Sequence, residues 1–376
     1  MTENKSCACH AEGAPNAAGG TALISHSQAY VLLILARLLH TMIYFHGEMH
    51  MGAWILASIL ISTAIETLLC LPLLALLSRF GGVGELIRRS PVYGFLCAAF
   101  FLFLSSGSVT HFTRFMQTEF PQVLPPVAVM LVTAAAAVYC SCLGVQALAR
   151  AGTIVFAAFA VLLVSMALVS EAKPDMLNMI PVTEADMPDL WRMMLQDLSS
   201  SRWLVMLPCL APSIRDVRTG AKKTAAAYLV TKLVILELLA ALTILLLGNF
   251  VRIIGYPILA IGAYARTDFI RHFDAVNMFV WSLNCILVNG VYIFLAASKM
   301  PAKSPSKPNV VGAVICGAVV FAAAYASYGT GLDYNSNAAN AVKGAAVLAL
   351  GVAAPAISLV HCKLQKGGKR RAKRDK

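Results

Sequence analysis

The stretch from Trp203 to Lys223, WLVMLPCLAPSIRDVRTGAKK, opens like a membrane helix and then stops short of one. Its apolar run is about ten residues, half of what a bilayer crossing requires, and it carries Pro208 and Pro212. Each proline removes a backbone donor and disfavours helix at the residue before it, so carbonyls from Met206 to Ala211 lose their usual partners. In lipid, backbone of this kind survives only where it packs against protein or lines a polar cavity. Secondary transporters build solute and ion sites from such interruptions. The expectation is half of a solute-binding site around Pro208, Cys209 and Leu210. A proline-kinked helix with no ligand fits the same residues.

The rest of the chain places that segment in a membrane. Of 376 residues, 59% are apolar and 13% charged, and the mean hydropathy is +0.74, which excludes ordinary soluble domains. The formal charge of +12 sits in short loops and in the tail KLQKGGKRRAKRDK, Lys363 to Lys376. That placement fits contact with membrane lipid at the cytoplasmic leaflet and not with nucleic acid. Most cysteines fall inside apolar runs, where a thiol behaves as a small hydrophobe. Cys7, Cys9 and His10 in CACH match no common zinc spacing, so neither metal nor cofactor is expected. No nucleophile motif, phosphate loop or HExxH appears, so no catalytic residue is assigned. The first apolar run is long enough to span and serves as its own insertion signal.

Apolar runs predict about ten transmembrane helices, at 24–45, 53–77, 92–115, 123–143, 151–169, the broken sixth, 225–250, 273–298, 310–328 and 342–361. Residues 1–23 form a flexible cytoplasmic tail, 24–362 the membrane domain and 363–376 a basic cytoplasmic tail. The acid-rich connection after the fifth span reads as an external loop with a short amphipathic helix near 190–198. Residues 251–272 are too interrupted to span and read as interfacial or re-entrant. Loops 2–3, 4–5, 6–7 and 8–9 hold Arg79, Arg88, Arg89, Arg150, Arg215, Arg218, Lys222, Lys223, Lys299, Lys303 and Lys307, which predicts both termini in the cytoplasm. Arg252, Arg266 and Arg271 in loop 7–8 are exceptions.

Ionisable residues inside spans are costly and face a cavity or a partner. Arg37 and His40 in the first span, Glu66 in the second and Glu237 in the seventh are the candidates for intramembrane charge or coupling. An Arg37–Glu66 pair neutralises both, and it serves structure as readily as coupling. The run SSGSVTH, Ser105 to His111, supplies Ser105, Ser106 and Ser108 either for close helix packing or as hydroxyls of a midplane site. Thr41 and Asn284 complete the candidate polar contacts. Ten crossings with the sixth broken predict a 5+5 inverted-repeat, transporter-like bundle whose first and sixth helices are both broken and line the site.

Several stretches resemble the spore germination permease family, the integral-membrane B subunits of endospore germinant receptors, within the amino acid–polyamine–organocation superfamily. SQAYVLLIL at Ser27 to Leu35 is similar to that family's first helix, and AWILASILI at Ala53 to Ile61 to its second. LGVQALARAGTIVF, Leu143 to Phe156, is similar to the passage into the fifth. Most specific are Tyr256-Pro257 and FIRHFDAVNMFVW, whose Phe269, Asp274 and Trp281 keep the family's spacing before helix eight. The chain departs from the family at Leu39, His40 and Thr41, where glycines are usual, at His272, where a basic residue is usual, and at Asn289, in place of an expected cation. The resemblance implies a receptor subunit in the spore inner membrane that binds a small-molecule germinant, often an amino acid, and works with an A subunit and a lipoprotein C subunit. Two other readings stand beside it: a proton-coupled amino acid or polyamine transporter, and an ion channel opened by a partner.

Overall fold

The computed structural model describes residues 23–44, 53–80, 90–120, 124–169, 174–180, 187–252, 254, 256–264, 273–300 and 309–372. The CACH cluster and the loops with Arg88, Arg89, Arg266, Arg271, His272, Lys303 and Lys307 lie outside them. In chain order the helices are α1 His26–Tyr44, α2 Ala53–Leu69, α3 Leu71–Phe80, α4 Pro91–Glu119, α5 Pro126–Cys142, α6 Val145–Val169 and α7 Met187–Ser199. There follow α8 Trp203–Leu210, α9 Val217–Leu247, α10 Pro257–Tyr264, α11 Phe273–Ala297, α12 Val310–Thr330, α13 Asn337–Ala346 and α14 Ala354–Ala372. No strand forms among the described residues. Ile24 and Ile214 make an isolated parallel bridge, with Ile24 N–H donating to Ser213 O at 2.8 Å and Arg215 N–H to Ile24 O at 3.0 Å.

Seven helical stretches are long and apolar enough to cross a membrane: Ala53–Phe80, Pro91–Glu119, Val145–Leu168, Val217–Leu247, Ala275–Ala297, Val310–Thr330 and Asn337–Cys362. The chain is therefore an all-α, multi-pass integral membrane protein. Three further segments expected to span, the 19-residue α1, the 17-residue apolar α5 and the interrupted α7–α8 pair, are not among these seven. Sequence punctuates the helices as local chemistry dictates. Ser90 caps α4 by accepting from Tyr93 N–H at 3.2 Å, with Pro91 just inside, where its missing donor costs nothing. Asn309 caps α12, and Gly331 ends it at φ 70°, a conformation that glycine adopts without strain.

Two helices form the axis of the bundle. Every residue of α1 from Val31 to Thr41 is buried, the signature of a helix surrounded on all sides. It packs against α6, α8, α9 and α11, while α11 packs against α4, α5 and α6. The outer surface carries large apolar side chains such as Ile154, Leu168 and Val311, as a lipid-facing wall requires.

Three expectations are corrected. First, α1 runs unbroken from His26 to Tyr44. Second, the break lies between α7 and α8, upstream of the prolines and not at 206–211. Pro208 sits inside α8 and Pro212 in a 3₁₀ turn, Ala211–Ser213, that continues it. One proline near the end of a short helix forfeits a single bond. Three consecutive serines compete for the backbone more effectively. Third, the amphipathic helix assigned to an external loop exists, but α7 packs on α2 and α13 and forms the first half of the broken helix.

The last span also differs from the 342–361 expected. It begins at Asn337, relaxes into a π-helical segment Val347–Ala353 and continues through the basic stretch to Ala372. Pro355 has no N–H to give the preceding turn, which accounts for the widened ladder. Gly351 within that segment lies where α8 crosses: a Cβ there would meet Leu204 Cβ at 2.8 Å. Gly351→Val is expected to lower stability by about 1–3 kcal/mol through overpacking. An unchanged midpoint of thermal unfolding in detergent would show the crossing to be looser than described.

Candidate functional site

The break is built from tight turns. Ser200 and Ser201 N–H groups donate back to Asp197 and Leu198 carbonyls, each at 3.0 Å, and Arg202 N–H reaches Ser200 O at 2.8 Å. The hydroxyls of Ser199 and Ser200 donate to Gln196 O at 2.7 and 3.0 Å, satisfying the end of α7 with side chains. The turn thus holds two charged residues, Asp197 and Arg202, on its two sides and turns both into the bundle.

Asp197 joins a buried chain of four charges. One carboxylate oxygen takes the Arg37 guanidinium. The other accepts from Ser62 Oγ at 2.6 Å and from Lys232 Nζ at 2.7 Å. Lys232 also donates to Glu66 Oε2 at 2.5 Å, and the second oxygen of Glu66 takes the indole N–H of Trp203. Lys232 and Glu66 are 1% and 0% exposed, so this is an interior ion network with every carboxylate oxygen engaged. It joins α1, α2, α7, α8 and α9. Arg37 and Glu66 do belong together, as the sequence implied, but through Asp197 and Lys232 and not by direct contact.

Arg202 stands on the other side of the turn. Its Nη2 donates to His40 Nδ1 at 2.8 Å and its Nη1 to Tyr292 Oη at 3.3 Å. Because arginine carries only donors, His40 Nδ1 must present its lone pair, which places the ring proton on Nε2, against Ser200 Oγ. Beside this pair lies a recess of about 300 Å³ of non-atom space, part of it open to solvent, walled by His40, Ser108, Arg202 and Lys343 with Phe103 and Tyr334. Its closed centre has room for little more than a water molecule. Tyr334 covers it: the ring packs on Phe103 at 5.1 Å and the hydroxyl pairs with Ser327 Oγ at 2.9 Å. Gly107 permits this approach, since a Cβ there would meet Tyr334 Cγ at 2.9 Å. Beside Tyr334, whose ring meets that of His111 at 6.4 Å, His111 Nε2 lies 3.7 Å from the half-exposed Asp333.

The remaining candidates fall into three groups. Ser105 and Ser108 serve an interhelical ladder: Ser105 Oγ donates to Asn289 Oδ1 at 2.8 Å, and Asn289 Nδ2 donates to Ser108 Oγ at 3.0 Å and Cys285 O at 2.8 Å. Ser108 alone of the three serines also lines the recess. Ser106 and Thr41 bond back to Leu102 and Arg37 carbonyls of their own helices. Asn284 anchors α11 to Leu35 O at 3.3 Å. Pro208, Cys209 and Leu210 are buried in α8, away from the recess wall. Glu237 is half-buried on α9 and has no hydrogen-bond or ion-pair partner among the described residues.

Sequence reasoning missed Asp197, Arg202, Lys232 and Lys343. Lys232 and Lys343 interrupt apolar runs and carried the signal that singled out Glu66, an ion where the bilayer forbids one. Asp197 and Arg202 were hidden by the acid-rich loop to which they were assigned. Among the described residues, no group of three or more His, Cys, Asp or Glu is placed to hold a metal.

A helical membrane bundle with one helix interrupted at an interior polar recess defines a transporter-like integral membrane protein. The spore germination protein family model matches residues 23–326, and the chain belongs to that family. It is a germination-related membrane protein. No curated protein matches it.

The ion network gives a direct test. Lys232→Met leaves Glu66 and half of Asp197 buried without a counterion and is expected to cost about 3–5 kcal/mol. Adding Glu66→Gln should restore part of that loss in thermal unfolding of the purified protein. A double variant no more stable than the single one would show that the two charges do not compensate each other.

Proposed function

We propose that this protein is the membrane subunit of a spore germinant receptor and that the recess beside the α7–α8 break binds the germinant. What carries the reading is the break itself: it places Arg202 and His40 against a polar recess inside a bundle from a germination family. The recess borders both the unbroken central helix and the interrupted one, so a bound solute would bias how α7 and α8 sit against α1. In the form described it is too small for an amino acid, so ligand binding selects a conformation in which Tyr334 has moved aside. The family resemblance supplies the remaining context: the spore inner membrane, a small germinant such as an amino acid, and A and C subunits that carry the signal onward.

Filling the recess tests this. In spores that rely on this chain, Gly107→Leu is expected to abolish the nutrient response, because the added side chain occupies the space between Tyr334 and the recess. Membrane levels of the variant are followed by immunoblot. A normal response from a normally abundant variant would remove the recess from consideration. A second reading, a proton-coupled transporter of the same solutes, rests on the same interrupted helix and predicts accumulation of labelled alanine in proteoliposomes; the receptor reading predicts none.

A further inference from the structure

The recess is walled by cations and by no carboxylate. Arg202 is 5% exposed, and among the described residues no acid lies within ion-pair distance of it. Its contacts are two neutral acceptors, His40 Nδ1 and Tyr292 Oη, and its Nε has no hydrogen-bond partner. A buried guanidinium with only neutral partners carries a charge that nothing around it offsets by direct pairing. Lys343, 2% exposed, brings a second basic side chain to the same wall, within electrostatic reach of Asp333.

The carboxylates in reach are committed elsewhere. Asp197 is occupied by Arg37, Lys232 and Ser62, and Glu66 by Lys232 and Trp203. Asp333, next to Tyr334 in the chain, is 50% exposed, faces His111, accepts from Asn335 N–H at 2.8 Å and offsets part of the Lys343 charge. The inner wall therefore offers charge-assisted donors to an anion and no acid to an ammonium group. Leu39, Leu104, Phe103 and the Tyr334 ring make the rest of the wall apolar, which suits a short hydrocarbon body and not a fully hydrated inorganic ion.

We propose that the recess recognises a small organic carboxylate through Arg202, with Lys343 adding to the field, and that an α-ammonium group on the ligand is not required. Resting as it does on the recess being the germinant site, this assigns the class of germinant: short-chain carboxylates as such, of which an amino acid is one case. Arg202 is the group that reads the ligand's charge, and the apolar side chains of Leu39, Phe103 and Leu104 keep water from that pair.

The test is thermal unfolding of the full-length protein in lipid nanodiscs at constant ionic strength, with propionate, alanine, alaninamide and inorganic phosphate as probes. Propionate and alanine are expected to raise the midpoint, and alaninamide and phosphate to leave it unchanged. Arg202→Gln is expected to weaken the propionate effect roughly tenfold or more, and Arg202→Lys, which keeps the charge, to recover part of it. Both variants are first checked by size-exclusion for a folded, monodisperse protein. A shift with alanine and none with propionate overturns the proposal while leaving a germinant site in the recess standing. Equal propionate shifts in wild type and Arg202→Gln overturn both. A shift with phosphate as large as with propionate overturns the organic-carboxylate assignment, and no shift with any probe overturns the proposal.

Discussion

The interior of this protein is organised by the need to neutralise charge where water cannot. Arg37, Asp197, Lys232 and Glu66 alternate in sign along one buried chain, and each carboxylate oxygen has at least one donor. Removing two such ions from water is tolerable only with near-complete pairing, so the geometry of five helix segments must be mutually consistent before any member can be buried. The network is thus a constraint on architecture more than a source of net stability. It requires α7 to enter the bundle far enough for Asp197 to reach α1, α2 and α9, and it fixes Trp203 at the start of α8 through Glu66. The turn between those two anchors has nowhere to go but across the interior.

That constraint also sorts the polar groups into two kinds. On the α2–α9 side of the turn every carboxylate oxygen has a donor, although Arg37 Nε and Nη1 have no hydrogen-bond partner. On the α4–α13 side Arg202 has only neutral partners and an unused N–H, and the wall around it is partly empty. The serine-rich stretch of α4 is divided in the same way, with Ser105 tied to Asn289 and Ser108 shared between that ladder and the recess. Asn289 stands where the family's pattern leads one to expect a cation, and its amide satisfies two serines and a carbonyl that a cation could not satisfy in the same way. The positive charge facing the recess comes instead from Arg202 and Lys343.

Much of the fold was legible because bilayer physics writes itself into composition. Long apolar runs, proline at a first turn and glycine at an end located most span ends to within a few residues, while α6 and α9 begin at Val145 and Val217, ahead of the expected 151 and 225. The interruption of the sixth helix was legible in kind but misplaced, because prolines announce lost hydrogen bonds loudly and a run of serines announces them softly. The site was harder to see. Arg37, His40 and Glu66 stood out as ions within apolar windows, and all three are buried in polar clusters on either side of the serine turn. Asp197 and Arg202 could not stand out, since the segment from α7 to the start of α8 is polar enough to be assigned to an external connection and only its tertiary placement makes those charges interior. Glu237 stood out equally well and has no partner in the fold described.

The short backbone pairing between Ile24 and Ile214 joins the approach to α1 with the exit from the 3₁₀ turn after α8. Two amide hydrogen bonds clasp strands whose own helices meet again higher up, at Arg37, Asp197, His40 and Arg202. The interrupted helix and the central one are therefore tied together at two levels, by backbone amides below and by charged side chains near the middle. Two such ties fix the relative register of the pair, which one alone would leave free to slip.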